Sequence, residues 1–315
     1  MATNEDNYIR FDWAMKRLLR NKANYVVLEG FLSSLLGKKF KIHRFLESES
    51  NQEDEDDKYN RVDILAESED GLLCIIEVQN SREQTYFHRM LYGVSKAITE
   101  YIGLGKPYEA VRKVYSINIV YFELGQGKDY VYHGKTEFVG EHEPHDTLKL
   151  SIRQNEKFFG IKDDNLELRK SPGDLFPEYY ILRVNDFDKV ATTPLDEWIE
   201  FLKTGSISSK ATAAGLPEAR ERLRVDSLSQ KDKQAYFRHL EAVRHMKSLF
   251  DTSRDEGYQD GLTEGIIKGE AKGRAEGRVE EKKEIALNLL AYNTPIDIIA
   301  KSTGLSIEEI KKLKS

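Results

Sequence analysis

Apolar residues along the chain follow two rhythms, and their order outlines a fold. Between Asp12 and Leu36, Leu18, Leu19, Val26, Val27, Phe31, Leu32 and Leu35 recur at helical spacing, and Gly37 follows as a stop signal. Lys39 to Leu46 reads as a strand. Two β-rich runs come next, Arg61-Val-Asp-Ile-Leu-Ala and Leu72-Leu-Cys-Ile-Ile-Glu-Val-Gln79, around the turn signal Ser68-Glu-Asp-Gly71. This pattern predicts an antiparallel hairpin. Leu72 to Ile76 is continuously apolar, as expected of a strand buried on both faces. A helix is predicted over Glu83 to Gly103, with Phe87, Met90, Leu91, Val94, Ala97, Ile98 and Tyr101 on one broad face, then a strand over Val114 to Phe122. Tyr130 to Phe138, Leu148 to Ile152 and Tyr179 to Val184 alternate like further strands, and the pattern turns helical from Pro194 to Phe250.

The hairpin carries the most telling chemistry. Asp63 and Glu77 are equidistant in sequence from Asp70, so a loop centred there sets them opposite each other on neighbouring strands. Facing carboxylates repel unless a cation lies between them, and a hard divalent ion such as Mg²⁺ prefers such oxygen ligands. Acids at the ends of solvated strands are common, and on spacing alone that reading stays open. Glu77, however, closes an apolar central strand, where a site residue would stand. Together these features point to metal-assisted phosphodiester cleavage.

Asp63, then Glu77-x-Gln79 at a strand end, then a helix bearing Arg89-Met-Leu-Tyr92, resembles the PD-(D/E)XK nuclease superfamily, and more narrowly its branch of recombination-promoting nucleases and transposases. Phe11-Asp-Trp-Ala-Met-Lys16, Gly105-Lys-Pro-Tyr108 ahead of Val114, and a glycine-periodic tail fit the same branch. The resemblance implies an α/β, restriction-endonuclease-like mixed sheet flanked by helices, with a helical C-terminal extension. It further implies DNA as partner and substrate, Mg²⁺ or another divalent cation as cofactor, and Asp63 and Glu77 as metal ligands. By the same resemblance the Val78 carbonyl completes the ligand set, Gln79 positions the attacking water, and Glu29 and Arg89 are candidate assistants, with a solvent-facing helix residue and a helix-surface ion pair as their respective competing readings. Most of the superfamily has lysine where this chain has Gln79, although glutamine is common in this branch. A neutral amide can orient water but cannot be its base. Two functions are therefore carried forward: a metal-dependent DNA endonuclease supporting recombination, and a nuclease-like fold without turnover that binds DNA or protein.

Composition changes the picture in a few places. With 315 residues, 39% of them hydrophobic, the chain can bury a core and has room for more than one domain. No apolar run reaches membrane-helix length and the start lacks the order of a signal peptide, so no membrane partner and a cytoplasmic location are expected. The single Cys74 lies in an apolar strand and reads as a core residue. A formal charge of -6 argues mildly against nucleic acid. Much of the acid is concentrated in Glu47 to Asp57, expected as a solvated loop, whereas Arg17, Arg20, Lys22, Lys38, Lys39, Lys41 and Arg44 form candidate DNA-facing clusters.

The chain divides by composition into a nuclease-like core over 1–190, a helical extension over 191–250, a Gly-x-x-x repeat over 251–280, and a small helix-turn-helix-like motif over 281–315. Glycine recurs at 257, 261, 265, 269, 273 and 277. As a helix these glycines form a slowly winding stripe that permits close helix approach, so self-association through the tail is expected; a charged flexible linker is the competing reading. Thr294-Pro-Ile starts a last helical pair around Gly304, and Ser306-x-x-Glu309 is a capping box. Acidic Glu308 and Glu309 would meet phosphates at the start of its second helix, which favours packing over sequence reading.

Overall fold

The computed structural model describes residues 8–46, 63–102, 107–162, 165 and 169–314. The acidic run Glu47 to Asp57, Arg61 and the Gly105-Lys106 pair lie outside these described residues. The chain falls into two units, Met1–Val243 and Arg244–Ser315.

In the first unit, the predicted N-terminal helix is two helices, α1 (Phe11–Arg17) and α2 (Tyr25–Leu36). The break has a local cause. Asn21 accepts from the Ala23 N–H and caps a short 3-10 turn, and the Asn24 amide donates to the Leu18 carbonyl at 3.0 Å. These side chains satisfy backbone groups that a continuous helix would have paired within itself. Strand β1 (Ile42–Leu46) precedes the expected hairpin of β2 (Ile64–Ser68) and β3 (Leu73–Gln79). Gly71 turns it with a φ of 76°, and Ser68 ties the turn down by accepting from Gly71 and Leu72. Helix α3 (Tyr86–Ile102) then crosses to β4 (Val114–Val120). Strand β5 (Val131–Gly134), helix α4 (Ile152–Phe159) and strand β6 (Glu178–Arg183) follow. The strand expected over Leu148 to Ile152 does not form: Ser151 and Gln154 make a reciprocal capping box that starts α4 instead.

The six strands form one mixed sheet in the order β1-β2-β3-β4-β6-β5. The β3–β4 and β4–β6 pairs are parallel and the outer pairs antiparallel. All of β4 and all of β3 but Gln79 are buried, the signature of central strands covered on both faces. Side chains alternate between those faces. Cys74, Ile76 and Val78 of β3 join the larger core built by α1, α2, α5 (Pro194–Thr204) and α6 (Leu216–Arg222), where Phe11, Phe31, Trp198 and Phe201 meet edge to face. Leu73 and Ile75 pack instead against Val94 and Ala97 of α3. Burial raises the Cys74 thiol pKa and keeps it a protonated core group.

Helix α7 (Gln230–Ala291) is continuous through all six periodic glycines. In the second unit, α8 (Ile296–Thr303) and α9 (Ile307–Lys314) bury Ile299, Leu305 and Ile310 with Ala286. Gly304 closes α8 in the left-handed region, and the Ser306–Glu309 capping box opens α9.

Candidate functional site

Register and alternation bring the acidic pair together. Strand β2 pairs with β3 at Ile64↔Ile76, and one further step sets Asp63 across from Glu77. An Asp63 Oδ2 atom accepts the Val78 N–H at 2.8 Å, and the Asp63 carbonyl accepts from the Arg20 guanidinium at 2.5 Å. A strand residue turns its N–H and C=O to the same side. The Val78 carbonyl is therefore directed toward Asp63 as well, while the Gln79 carbonyl is turned the other way and accepts from the Tyr121 N–H at 3.0 Å.

Glu77 shares the α3 face of the sheet with Leu73 and Ile75, and only 6% of it is exposed. Burial raises its carboxyl pKa, nearby Asp63 and Glu83 push the same way, and Arg89 opposes them. The Arg89 guanidinium lies 3.5 Å from Glu77 Oε1 and donates to Glu83 at 3.2 Å. Thus one cation of the protein already faces the acid pair, set there by the first turn of α3.

Two residues that the sequence reading passed over stand beside Glu77. Asn118 of β4 stands in register with Glu77 and is 1% exposed. Its amide nitrogen donates to Ser116 Oγ at 3.0 Å and to the Tyr180 carbonyl, and its oxygen accepts from the Tyr86 hydroxyl at 3.2 Å. Burial raises the Tyr86 phenol pKa well above its usual range, and the negative charges of Glu77, Asp63 and Glu83 add to the effect. Tyr86 and Asn118 therefore form a fixed neutral wall beside Glu77. The signal was present in Val-Tyr-Ser-Ile-Asn-Ile-Val: two polar residues two apart, on one face of an otherwise apolar strand.

Other expected participants are placed differently. Gln79 is half-buried at the end of β3 on the Glu77 face, with its amide donating to Ser81 Oγ at 3.3 Å. The Glu29 carboxylate binds the Lys41 ammonium and accepts the Ile42 N–H at 2.9 Å, so it ties α2 to the start of β1. Several basic residues of the candidate DNA patch also have internal partners: Lys38 donates to the Tyr115 hydroxyl, and Arg44 pairs with buried Glu67.

The donors fit a hard divalent cation. Asp63, Glu77 and the Val78 carbonyl offer oxygen only, leaving room for the waters that Mg²⁺ retains. Among the described residues no group of three or more His, Cys, Asp or Glu side chains converges as a metal cluster, so the protein side of such a site rests on this pair and a backbone oxygen.

A mixed sheet with an acid pair at the end of its hairpin, backed by a helix bearing arginine, is the architecture of a restriction-endonuclease-like protein. Residues 9–155 match the family model described as PD-(D/E)XK nuclease family transposase, so this segment is similar to that family. The match spans Asp63, Glu77, Gln79 and Arg89 and stops short of α7. Neither the curated proteins nor the solved structures give a match.

Proposed function

We propose that the protein hydrolyses phosphodiester bonds of DNA with a divalent cation held by Asp63, Glu77 and the Val78 carbonyl. The observation that carries this reading is the convergence of two carboxylates at one strand end, one of them buried beside Arg89. When bound, the cation would lower the pKa of water and offset charge on the phosphate. The protein's own groups have separate tasks. Gln79 orients the attacking water by hydrogen bonding without accepting its proton. Arg89, kept charged by Glu77 and Glu83 against the opposing effect of its partial burial, would stabilise phosphate oxygens when a cation is bound to Glu77. Arg20, held to the Asp63 backbone, offers a phosphate contact on the opposite flank. The glycine stripe of α7 is assigned to self-association, outside the chemistry.

The test is nicking or cutting of supercoiled plasmid by the full chain with Mg²⁺, against a parallel reaction in chelator. Metal-dependent cleavage supports the reading. Tight DNA binding without cleavage, at any divalent ion tried, would establish the second function, a binding module in which Arg89 serves as the permanent counter-ion of Glu77.

A further inference from the structure

Directly after Gln79, on the opposite face of the sheet from Glu77, lies a buried polar network. At its centre is Asp12, 2% exposed, near the start of α1. One carboxylate oxygen accepts from the Trp13 N–H at 2.9 Å and pairs with the Arg10 guanidinium at 3.2 Å. The other accepts from the Asn80 amide at 3.0 Å and meets His239 Nε2 at 3.2 Å. Asn80 is held from its other end as well, by Arg10 at 3.4 Å. Arg10 also stacks over the Tyr121 ring, and Tyr121 donates its N–H to the Gln79 carbonyl. The residue before the site strand's exit and the residue after it are thereby gripped by one cluster.

His239 enters this cluster from α7, beyond the segment that matches the nuclease family. Its approach is fixed by packing: Tyr236, nearly one turn earlier, stacks edge to face on Trp13 and joins its hydroxyl to the Arg10 N–H and the Tyr8 carbonyl. The energetics say that the cluster is meant to be charged. Burial alone would raise the Asp12 pKa, yet its hydrogen bond to His239, the charges of Arg10 and His239, and the Asn80 amide carry it below the usual carboxylate range. A buried charge with several oriented partners holds them in one geometry, because each lost hydrogen bond leaves it poorly solvated.

We propose that His239 is a positioning residue for the candidate site: through Asp12 and Asn80 it fixes the end of β3 and hence the placement of Gln79. This rests on the nuclease reading for its catalytic consequence, but not for its mechanical one. Beyond Ile76 the described hold from the β2 side is the Asp63 Oδ2 bond to the Val78 N–H, while β4 accompanies β3 to Gln79. Losing the His239 contact removes one of the two partners of the Asp12 oxygen to which Asn80 donates, so that oxygen and Asn80 can move together and shift the water-orienting amide, where displacement by about 1 Å is enough to cost roughly 100-fold in rate.

The experiment compares the full-length parent with His239→Ala and His239→Gln, the latter chosen because its amide can donate to Asp12 in place of the imidazole. Two readouts are taken on each: hydrogen exchange of the Tyr121 amide, which reports the grip on the Gln79 carbonyl, and single-turnover cleavage with Mg²⁺. Expected for His239→Ala is exchange at Tyr121 faster by about tenfold, unchanged exchange in the central β4 residues, and a single-turnover rate reduced roughly 10- to 100-fold at a nearly constant half-saturating concentration. His239→Gln should recover most of both. Unchanged Tyr121 exchange in His239→Ala would overturn the proposal, as would a uniform rise across β4, which would show general loosening. If the parent does not cut DNA, the exchange arm still decides the positioning claim, and the nuclease reading fails separately.

Discussion

The β2–β3 corner and the glycine-bearing stretch of α7 are both rich in charge, yet the charges are used in opposite ways. At the corner, Glu77, Arg89, Asp63 and the Tyr86–Asn118 pair are packed into contact, where each polar group depends on its neighbours. Along the glycine-bearing stretch the described ion pairs are local, as Glu264 with Lys268 and Glu270 with Arg274 four residues apart. Such pairs add about 0.2–0.5 kcal/mol each, whereas each glycine costs a helix about 1 kcal/mol. A Cβ built on any of the six glycines meets no atom within 4 Å. The corner carries its own structural reason; the stripe does not, and acquires one when another helix lies on it.

That contrast predicts very different responses to substitution. At the corner, Asp63→Ala and Glu77→Ala should each lower metal-dependent cleavage by roughly 1,000-fold or more while circular dichroism stays unchanged, since the cation loses half its side-chain donors. Retained cutting in either variant would remove the acid pair from the chemistry. Gln79→Ala should lose about 10- to 100-fold in single-turnover rate and Gln79→Lys much less, because lysine can also hold the water; indifference to alanine would return Gln79 to ordinary strand-end surface.

Glu77 should also reveal itself without DNA. Its folded-state pKa lies above the unfolded one, so the native protein binds the extra proton and stability falls as pH rises through that interval. Above it, the buried charge is a standing cost. In chelator at neutral pH, Glu77→Gln should therefore melt roughly 1–2 °C higher than the parent, with the advantage fading as pH is lowered past the carboxyl titration. A lower melting temperature at neutral pH would mean that the Arg89 pair outweighs desolvation.

In the stripe the effects are smaller and point both ways. Replacing Gly265, Gly269 and Gly273 with alanine should raise the stability of an isolated α7 by about 1 kcal/mol per site. If a second copy packs there, the same changes hold the helices apart and shift light-scattering mass toward monomer. Added stability with unchanged mass would leave the stripe without a partner.

The same contrast explains what could be read from the sequence. The hairpin was legible because its turn, its apolar run and the symmetry of Asp63 and Glu77 about Asp70 are local features, and the observed register agrees with them. The last helical pair was legible for the same reason, in Pro295, Gly304 and Ser306-x-x-Glu309. The α1–α2 break was missed because apolar spacing outlasted it, while Asn21 and Asn24 were diverting the backbone. The strand expected at Leu148 was likewise read from alternation, against the capping box at Ser151. Asp12 and His239 could not be joined from sequence at all: 227 residues separate them, and only packing of α7 on α1 brings them together. Glu29 illustrates the converse, since its place on α2 fits a site residue while Lys41 and the Ile42 N–H occupy its carboxylate.

The central claim is that Asp63 and Glu77 form a cation site, and it can be tested apart from DNA by titrating Mn²⁺ into the metal-free protein and following the free-ion signal by electron paramagnetic resonance. The parent should bind about one Mn²⁺ per chain, displaceable by Mg²⁺, and the Asp63→Ala/Glu77→Gln double variant should lose that binding while keeping the parent's circular dichroism. Equal Mn²⁺ binding by the parent and the folded double variant would contradict the account.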